Sequence, residues 1–563
     1  MSLNWRRLFP LTFRGVQSKL NNIYQECGYW KPFSAISCEI KFYSTTPKPE
    51  YFVTTPIFYV NASPHIGHLY TVLLADVLSR WHHLKGDNVL FSTGTDEHGL
   101  KIQQAANKND QHPTEFCNLV SQTFVDLFKE ANVNHTDFIR TTERRHITAV
   151  QHFWNVLESN GYIYKGGYEG WYSVSDETFL SESDVKDGII DGKTCKVSVE
   201  SEQPVIWMEE ENYMFRLSEF KDKIHDWLDT GVIHPKNFEQ NVRNMLTNLT
   251  DLSISRQSDR LTWGVPVPND PTQTIYVWLD ALVNYLTVTG FPNVSSRWPP
   301  DCQIIGKDIL RFHAVYWPAF LMAAGLELPK KLLCHSHWTV DDTKMSKSIG
   351  NVVNPMDKMN QFSIDGLRYF LLRVGVPHLD GNYSDIKAVE CINSELVNVL
   401  GNLLNRCTSL TINLQQVWTG SCVQDIETFL SPADQDKFHS LEHLADVVDR
   451  FYTEFSVYKA LQRLISQLHW TNAFVEHHKP WQLVKSEQSL DHLNVVLHVT
   501  MVTLRNCGIL LQPVIPNIAN KLLNRLNVPD DCRTFEHAKD LSLDKKTRQL
   551  GKDNSVLLKR IKI

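Results

Sequence analysis

Apolar and polar positions in the first part of the chain alternate between strand-like and helix-like patterns. Residues 51–60 form an apolar, aromatic run that predicts a strand followed by a short polar turn. A helix is predicted next, because apolar residues recur at helical spacing from Leu69 to Leu84 and Gly86 is suited to end it. A second strand is predicted over 88–93. This βαβ unit of about 45 residues implies a parallel sheet with a ligand crevice at the carboxyl ends of its strands.

The pattern changes twice further along the chain. A stretch rich in glycine, aromatic and acidic residues over 162–256 predicts an inserted domain. Strand-like segments at 274–278 and 303–305, each followed by a helical pattern, resume the α/β alternation. After Ile364 the chain becomes mostly helical, with amphipathic stretches at 364–375, 391–414, 433–485 and 491–511. The predicted fold class is α/β, a doubly wound Rossmann-like nucleotide-binding domain with a connective insertion, followed by an all-α domain.

Composition narrows the class of protein. A chain of 563 residues with 42% hydrophobic and 21% charged residues has room for several domains with hydrophobic cores. No uninterrupted apolar run approaches the roughly 20 residues that span a bilayer, so no membrane partner is expected. The net charge of −7 argues against a protein that binds nucleic acid over its whole surface, and DNA is not expected as a partner. A protein with this net charge can still carry a local basic track. Eleven cysteines without a CxxC pair favour free thiols in a reducing compartment.

The first 48 residues differ from the rest of the chain. They are basic and contain only the acidic residues Glu26 and Glu39, with several serine and aromatic residues. This composition is typical of a mitochondrial transit peptide that is cleaved before Tyr51, which would direct the protein to the mitochondrial matrix. A basic extension without a targeting role is the alternative.

His65, Gly67 and His68 form the motif His-Ile-Gly-His where the first strand passes into the first helix. Two imidazoles on one face of a helix start, beside its unpaired N–H groups, make a site suited to phosphate. Gly67 removes the Cβ that would obstruct a flat base. By itself the motif is also compatible with a histidine pair on the surface.

The second motif is Lys344-Met-Ser346-Lys347-Ser, and Gly350 follows it. Two lysines on a hydroxyl-rich loop suit a triphosphate whose negative charge must be stabilised while it reorganises. A solvated charge cluster is the alternative. A five-residue match this far beyond the first motif makes coincidence a weak explanation.

Together the two motifs on an α/β fold resemble the signature of class I aminoacyl-tRNA synthetases. The resemblance implies ATP as co-substrate with Mg²⁺, formation of an aminoacyl-adenylate, and transfer to the 2′-OH of the terminal adenosine of tRNA. It implies catalytic roles for His65, His68, Lys344 and Lys347, with Lys347 stabilising the departing pyrophosphate. The ATP-binding set it implies is His65, Gly67, His68, Lys344, Ser346 and Lys347.

Four further segments are similar to methionyl-tRNA synthetases, namely 54–61, 95–99, 276–285 and 305–309. This similarity implies L-methionine and tRNA(Met) as partners. Asp96 is implied to bind the substrate ammonium. The residues implied to enclose the side chain are Ile57, Tyr59, Trp278, Ala281, Leu282, Tyr285, Ile309, His313 and Trp317.

Such a pocket suits methionine physically. Aromatic walls offer polarisable contacts to a thioether, and we expect the Tyr59 hydroxyl or the His313 imidazole to donate a hydrogen to sulfur. A leucine would leave such donors unpaired, at about 1–3 kcal/mol per buried group. Taken singly, Trp278, Tyr285 and Trp317 at helical spacing would be core residues in most proteins.

In the helical region the resemblance implies that Asn402, Arg406 and Trp481 bind the anticodon. Asn402 and Arg406 lie one helical turn apart and can bond a base edge, and Trp481 can stack on an unpaired base. The alternative is that Trp481 packs the bundle and Asn402 bonds backbone. Arg256, in a segment that matches the family, is expected near the active site or in a structural salt bridge. The basic C-terminal tail is as compatible with a solvated face as with tRNA phosphates.

Two expectations concern what is missing. Many relatives hold zinc in the insertion through paired cysteines, but residues 171–177 carry serine and valine there and Cys195 stands alone, so no metal is predicted. A chain of this length has no room for the large editing domain of the isoleucine, valine and leucine enzymes. No strong coiled-coil heptad favours a dimer, so a monomer is expected.

The predicted domain order follows from these segments: a transit peptide at 1–48, catalytic halves at 49–161 and 257–335, the insertion at 162–256, the lysine-loop and stem-contact region at 336–390, the anticodon-binding domain at 391–550 and a tail at 551–563. A small-molecule nucleotidyltransferase would share the histidine motif but would have no use for the helical region. A catalytically dead tRNA-binding paralogue would not need intact His65, His68, Asp96 and Lys347.

Overall fold

The computed structural model describes residues 48–173, 178–180, 182–190, 193–199, 201–293, 296–345, 350–420, 426–541, 546–553 and 555–562. Ser346 and Lys347, two of the predicted ATP-binding residues, lie outside this part of the chain, as do residues 174–177 of the expected metal-free segment and the predicted transit peptide up to Pro47.

A six-stranded parallel sheet organises the catalytic region. In spatial order its strands are Asp137–Arg140, Asn88–Asp96, Glu50–Tyr59, Cys302–Gly306, Leu332–His335 and Ile233–His234. All five neighbouring pairs run parallel. The predicted fold class is confirmed, and the sheet is buried on both faces by helices, as parallel sheets require.

The first βαβ unit has the form that the apolar pattern predicts. The helix Ile66–Lys85 follows the first strand after a six-residue turn and packs an almost continuous apolar surface into the core. It ends at Gly86, whose φ of 94° places it in the left-handed region that glycine adopts without strain. The second strand then runs beside the first, with Val53 in register with Phe91.

The strand predicted at 274–278 differs in both position and partners. The strand is Asp270–Ile275, and Val277–Leu282 is already helical. It pairs antiparallel with Ser255–Gln257 and Pro266–Val267 in a separate three-stranded sheet, so of the two segments expected to resume the α/β alternation only Cys302–Gly306 belongs to the parallel sheet. Short turns connect these neighbouring segments, and short connections favour antiparallel pairing.

The insertion is built on a four-stranded antiparallel sheet, ordered Leu252–Ser253, Val205–Phe215, Ile163–Ser173 and Thr178–Leu180. A hairpin of Val185–Ile190 and Lys193–Ser198 accompanies it. Within the predicted range of 162–256 the chain also returns to the main sheet, because Ile233–His234 forms its edge strand. The range predicted for the insertion therefore contains one strand of the central sheet.

Further helices cover the sheet and connect it to the lysine-loop region. Their bounds are Leu100–Lys108, Pro113–Glu130, Arg144–Ser159, Lys221–Asp229, Glu239–Met245, Asn284–Thr287, Trp317–Ala323, Pro355–Phe362 and Ile364–Val374. A small sheet of Thr343–Lys344, Trp338–Val340 and Gly381–Tyr383 supports the first lysine of the loop motif.

The C-terminal region is helical, as predicted, although two long stretches are divided. The pattern at 391–414 comprises Asp385–Cys391, a π-helical segment Ile392–Gly401 and Asn402–Thr408. The short helix Ile426–Phe429 precedes the pattern at 433–485, which is broken into Pro432–His439, Leu444–Thr453, Val457–His478 and Pro480–Leu483. The helices that follow are Leu490–Leu511, Pro516–Arg525 and Phe535–Lys539. Strands Val417–Trp418 and Arg548–Gln549 pair beside this bundle.

Among the described residues, one helical segment, 487–511, is long and apolar enough to cross a membrane. Of its most apolar window, 94% is buried inside the fold, which is what the central helix of a bundle requires.

A buried ion pair joins the helical region to the first helix. The guanidinium of Arg368 donates to the carboxylate of Asp76 at 2.6 Å and to the backbone oxygens of Pro513 and Val514, each at 2.9 Å. Both charged side chains are at most 1% exposed. The sheet and the bundle are therefore connected through a fully desolvated contact.

Candidate active site

A cavity of about 560 Å³ opens at the carboxyl ends of the parallel strands. Ile57 and Tyr59 lie at the end of Glu50–Tyr59, Asp96 ends Asn88–Asp96 and Gly306 ends Cys302–Gly306, so the sheet itself brings these residues together. Of the residues predicted from sequence, those that line the cavity are Ile57, Tyr59, His68, Asp96, Trp278, Ala281, Leu282, Tyr285, Ile309, His313 and Lys344.

His65 and His68 cap the first helix reciprocally. The Nδ1 atom of His65 accepts the Gly67 N–H at 3.0 Å, and Nδ1 of His68 accepts the His65 N–H at 3.1 Å. Because each Nδ1 is an acceptor, each neutral ring carries its hydrogen on Nε2 and can donate from there. The rings stack with centroids 3.9 Å apart. The pair therefore presents two N–H donors at a helix N-terminus, which suits an anion.

Gly67 is required here for a reason that differs from the expected one. A Cβ at this position would lie 2.8 Å from Cε1 of the His65 ring. The absent side chain therefore makes room for the capping imidazole, and His65 supports His68, which is the histidine of the pair that lines the cavity.

Lys344 is joined by two groups that the sequence interpretation did not assign. Its ammonium lies 2.7 Å from Asp308, and Nε2 of His337 lies 3.0 Å from the same carboxylate. Burial raises the pKa of Asp308, but His337 and Lys344 outweigh it and hold the pKa well below its ordinary value. An ionised Asp308 thus anchors the start of the lysine loop at the cavity rim.

Aromatic rings form the inner wall. Trp278 stacks on Phe312 with centroids 3.6 Å apart and planes 7° apart. Trp317, predicted to enclose the ligand, is fully buried and does not line the cavity. Its ring lies 6.0 Å from that of Tyr285, so it supports the wall from behind.

The hydrogens of two predicted donors are directed elsewhere. The Tyr59 hydroxyl donates to the His98 carbonyl at 3.0 Å. His313 Nδ1 donates to the Ile309 carbonyl at 2.9 Å, so its Nε2 accepts from the Tyr285 hydroxyl at 2.8 Å. The expectation that Tyr59 or His313 donates to a ligand sulfur is wrong in this arrangement, because each uses its hydrogen within the protein.

Opposite the aromatic wall lies a charged edge. Asp96 is only 6% exposed and faces the cavity at the end of its strand. Lys101, in the first turn of Leu100–Lys108, also lines the cavity, with its ammonium 5.7 Å from the centre of the Tyr59 ring. The sequence interpretation did not single out Lys101. The sequence did contain a signal for Lys101, because charged residues that follow parallel strands closely are candidates for the carboxyl edge of the sheet.

The insertion closes part of the cavity. Leu180, Asp184 and Val199 line it, and Asp184 forms an ion pair with Arg311 at 3.3 Å. Arg311 belongs to the segment that also carries Ile309 and His313. The insertion therefore contributes directly to the ligand space, which the pattern of residues 162–256 did not reveal.

Arg256 lies near the cavity without lining it. Its guanidinium donates to the carbonyl of Ser255 at 2.6 Å and to the Ser253 hydroxyl at 3.0 Å, and it lies 4.7 Å from the centre of the Tyr276 ring. The side chain is 4% exposed. These contacts give it a structural role at the base of the insertion.

The predicted anticodon residues lie at one end of the bundle. Asn402 is exposed, and Arg406 is one turn further along the same helix. Arg406 lies 3.4 Å from Glu476, near the end of Val457–His478, and Trp481 is in the short helix that follows. Trp481 is partly buried against the bundle core. Asn402, Arg406 and Trp481 thus lie in one region, which offers two polar side chains and one partly buried aromatic ring.

Among the described residues, no group of three or more histidine, cysteine, aspartate or glutamate side chains is arranged to hold a metal ion. Part of the segment where relatives carry cysteines lies outside those residues. The absence of zinc stays a prediction from the sequence.

Comparisons with known proteins agree with this geometry. Residues 51–408 match the family model described as tRNA synthetases class I (M). The chain is 50% identical to the mitochondrial methionine–tRNA ligase of Takifugu rubripes, over 92% of this chain and 91% of that protein. The human mitochondrial methionine–tRNA ligase is 51% identical over 86% of this chain and 85% of its own length. A solved structure of Mycobacterium tuberculosis methionyl-tRNA synthetase in complex with methionyl-adenylate has a TM-score of 0.84 and 37% identity, covering 91% of this chain and 99% of that one.

The buried His313 predicts a pH dependence of stability. Burial lowers its pKa to about 4, whereas a histidine in an unfolded chain titrates near about 6.5. Between these values the unfolded chain binds a proton that the folded chain does not, so the free energy of unfolding falls as the pH drops through this window, by up to about 3 kcal/mol for this group. Urea unfolding should show a flatter pH dependence for His313→Gln than for the wild type.

The effect of His313→Gln should be partial, because burial also lowers the pKa of His335 and of His498 to about 4. Tyr285→Phe is the matched control, since it removes the hydroxyl partner and leaves the imidazole buried. The slope should persist in that variant. An unchanged slope in His313→Gln would contradict the assignment.

Proposed function

The chain belongs to the class I methionyl-tRNA synthetases, and from this membership we propose which of its residues carry each step. The enzyme activates L-methionine with ATP to methionyl-adenylate and transfers the methionyl group to the 2′-OH of the terminal adenosine of tRNA(Met), for mitochondrial protein synthesis. The observation that carries the residue assignment is the single cavity that joins Asp96, the aromatic wall, His68 and Lys344.

Methionine binds with its ammonium on Asp96 and its side chain against the aromatic wall. The Asp96 carboxylate ends its strand and faces the cavity while only 6% exposed, and a carboxylate in this position attracts the positive charge of the substrate ammonium. The thioether lies among Ile57, Trp278, Ala281, Leu282 and Ile309, beside the rings of Tyr59, Tyr285 and His313. Since the hydrogens of Tyr59 and His313 are already used, selection for methionine rests on shape and on sulfur–aromatic contacts.

ATP binds at the histidine-capped helix. His65 and His68 bind the phosphates from the helix N-terminus, where His68 lines the cavity and His65 caps the helix beside it, Gly67 makes room for the His65 ring, and Lys344 contributes positive charge at the rim. Ser346 and Lys347 of the same loop complete the set. Mg²⁺ would neutralise part of the triphosphate charge, and the ionised Asp308 at the cavity is an oxygen donor that would help to hold it.

The activation step follows from this placement. A carboxylate oxygen of methionine attacks the α-phosphorus, the bond from that phosphorus to the bridging oxygen breaks, and pyrophosphate leaves. Negative charge grows on the leaving group, where the imidazole N–H groups and the two lysines stabilise it. The ribose 2′-OH of tRNA then attacks the carbonyl carbon of the adenylate, and AMP departs.

Methionine-dependent exchange of pyrophosphate into ATP tests the assignment of the lysine loop. Lys347→Ala should lower the exchange rate by about 100-fold or more, because it removes a charge that acts mainly in the transition state, with little change in methionine binding. Lys330→Ala is the matched control: this exposed lysine pairs with Asp301, which directly precedes Cys302–Gly306, at the end of that strand away from the cavity. Full exchange activity in Lys347→Ala would overturn the proposed role.

The helical region reads tRNA(Met) through Asn402, Arg406 and Trp481. Recognition of single-stranded RNA combines stacking on aromatic rings with hydrogen bonds to base edges, and this end of the bundle offers both. We further propose that the enzyme acts as a monomer.

Trp481→Ala should lower kcat/KM for tRNA in aminoacylation by about 10- to 100-fold, since stacking on one base contributes about 1–3 kcal/mol. Pyrophosphate exchange, which needs no tRNA, should remain at the wild-type level. Trp470→Ala is the control, because this partly buried ring packs on Phe474 within the same long helix. Equal losses in both variants would identify Trp481 as a packing residue.

The compartment of this enzyme is the mitochondrion, and we propose that residues 1–48 direct it to the matrix. A fluorescent fusion of the full chain should enter mitochondria and resist external protease after the outer membrane is opened. The same fusion without residues 1–48 should remain in the cytosol. Import without these residues would refute their role as the targeting signal.

A further inference from the structure

Behind the aromatic wall, a buried carboxylate is held between two imidazoles. Asp280 Oδ2 lies 2.7 Å from His98 Nδ1, and its Oδ1 lies 2.9 Å from His146 Nε2. Asp280, His98 and His146 are 1%, 5% and 0% exposed. We call these three residues the Asp280 clamp. None of them lines the cavity, and the reaction as proposed uses none of them.

The clamp joins three separate elements. Asp280 lies in Val277–Leu282, the helix whose other faces carry Trp278 and Ala281 of the methionine pocket. His98 follows the second strand, and His146 lies in Arg144–Ser159. Contacts between side chains so far apart in sequence hold the aromatic helix against the end of the strand.

His98, the member of the clamp that follows the second strand, is close in sequence to Asp96, the residue proposed to bind the ammonium. His98 is two residues beyond Asp96, and its carbonyl accepts the Tyr59 hydroxyl at 3.0 Å. One short segment therefore carries the carboxylate for the substrate ammonium, the anchor of a pocket tyrosine and one imidazole of the clamp. A shift of His98 would move the first two together.

The chemistry of the clamp makes it sensitive to small changes. Burial raises the pKa of Asp280, but His98 and His146 lower it to about 2, so the carboxylate stays ionised. Each imidazole directs one ring N–H at a carboxylate oxygen, and His146 is held from its other nitrogen by Thr287 at 3.0 Å. An amide offers one acceptor oxygen where two N–H donors require two.

We propose that Asp280 is a positioning residue for methionine, which sets the distance between the ammonium-binding Asp96 and the aromatic helix. This inference rests on the proposed placement of methionine in the cavity. Methionine is short, so its ammonium and thioether reach their partners together only if both walls are held at one spacing. ATP binds at the histidine-capped helix, outside the span of the clamp, and should be little affected.

The test is the full-length enzyme with Asp280→Asn, assayed by pyrophosphate exchange with methionine and ATP varied separately. We expect KM for methionine to rise at least tenfold and KM for ATP to change less than twofold. Displacement of a reacting group by about 1 Å is enough for losses of this order. Asp365→Asn is the matched control, because Asp365 is also buried and accepts two hydrogen bonds, from Ile518 and Asn517, far from the cavity. It should leave both KM values unchanged.

A milder variant covers the case in which Asp280→Asn does not fold. Thr287→Val keeps the side-chain shape and removes the hydroxyl that holds His146. It should raise KM for methionine about threefold, again without affecting ATP. Equal rises in both KM values, or no rise for methionine in whichever of these variants folds, would overturn the inference.

Asp96→Asn, measured in parallel, separates failure of the inference from failure of the proposed site. A large rise in KM for methionine in Asp96→Asn with none in Asp280→Asn overturns the positioning role alone. No rise in Asp96→Asn overturns the methionine placement and the inference with it. If both variants raise KM, the double variant should be less than multiplicative, because Asp280 acts through the position of Asp96.

Discussion

The ion pair between Arg368 and Asp76 fixes the helical region against the first helix of the catalytic sheet. Asp76 lies on the helix that begins at the paired histidines, and Arg368 lies on a helix beyond the lysine loop, where it also binds the backbone at Pro513 and Val514. A desolvated charge pair tolerates little displacement, since loss of either partner leaves a buried charge at about 3–5 kcal/mol. Such a rigid connection suits the proposal that one tRNA is bound both at the cavity and by the helical region.

The parallel sheet brings the polar side chains of the cavity together through the geometry of its strand ends. Strand ends meet at one edge, so residues from distant parts of the sequence, such as Tyr59, Asp96 and Asp308, face one cavity. The helix that starts at this edge adds its N-terminal N–H groups, and the histidine cap turns two imidazoles into oriented donors. Lys344 at the cavity rim is anchored by Asp308, so the site that we propose for the triphosphate is already organised.

The pocket that we propose for methionine is organised by hydrogen bonds within the protein. Tyr59 donates to the His98 carbonyl, Tyr285 donates to His313, and His313 donates to the Ile309 carbonyl. These internal bonds fix the aromatic rings and leave polarisable faces for a thioether, with few donors that a ligand must satisfy. Selectivity for a small flexible side chain then depends on how accurately the walls are spaced.

The sequence by itself determined the first βαβ unit and the position of both motifs, and its resemblance to a known family identified 11 of the residues that line the cavity. The unit and the motifs follow from local periodicity and from short patterns whose chemistry is specific, so they need no knowledge of distant contacts. Only the tertiary structure decided that 270–275 pairs with an antiparallel neighbour, that Trp317 lies behind the wall, that His337 joins Lys344 on Asp308, and where the hydrogens of Tyr59 and His313 point. Strand pairing and hydrogen-bond direction depend on partners far away in the chain, which no local pattern encodes.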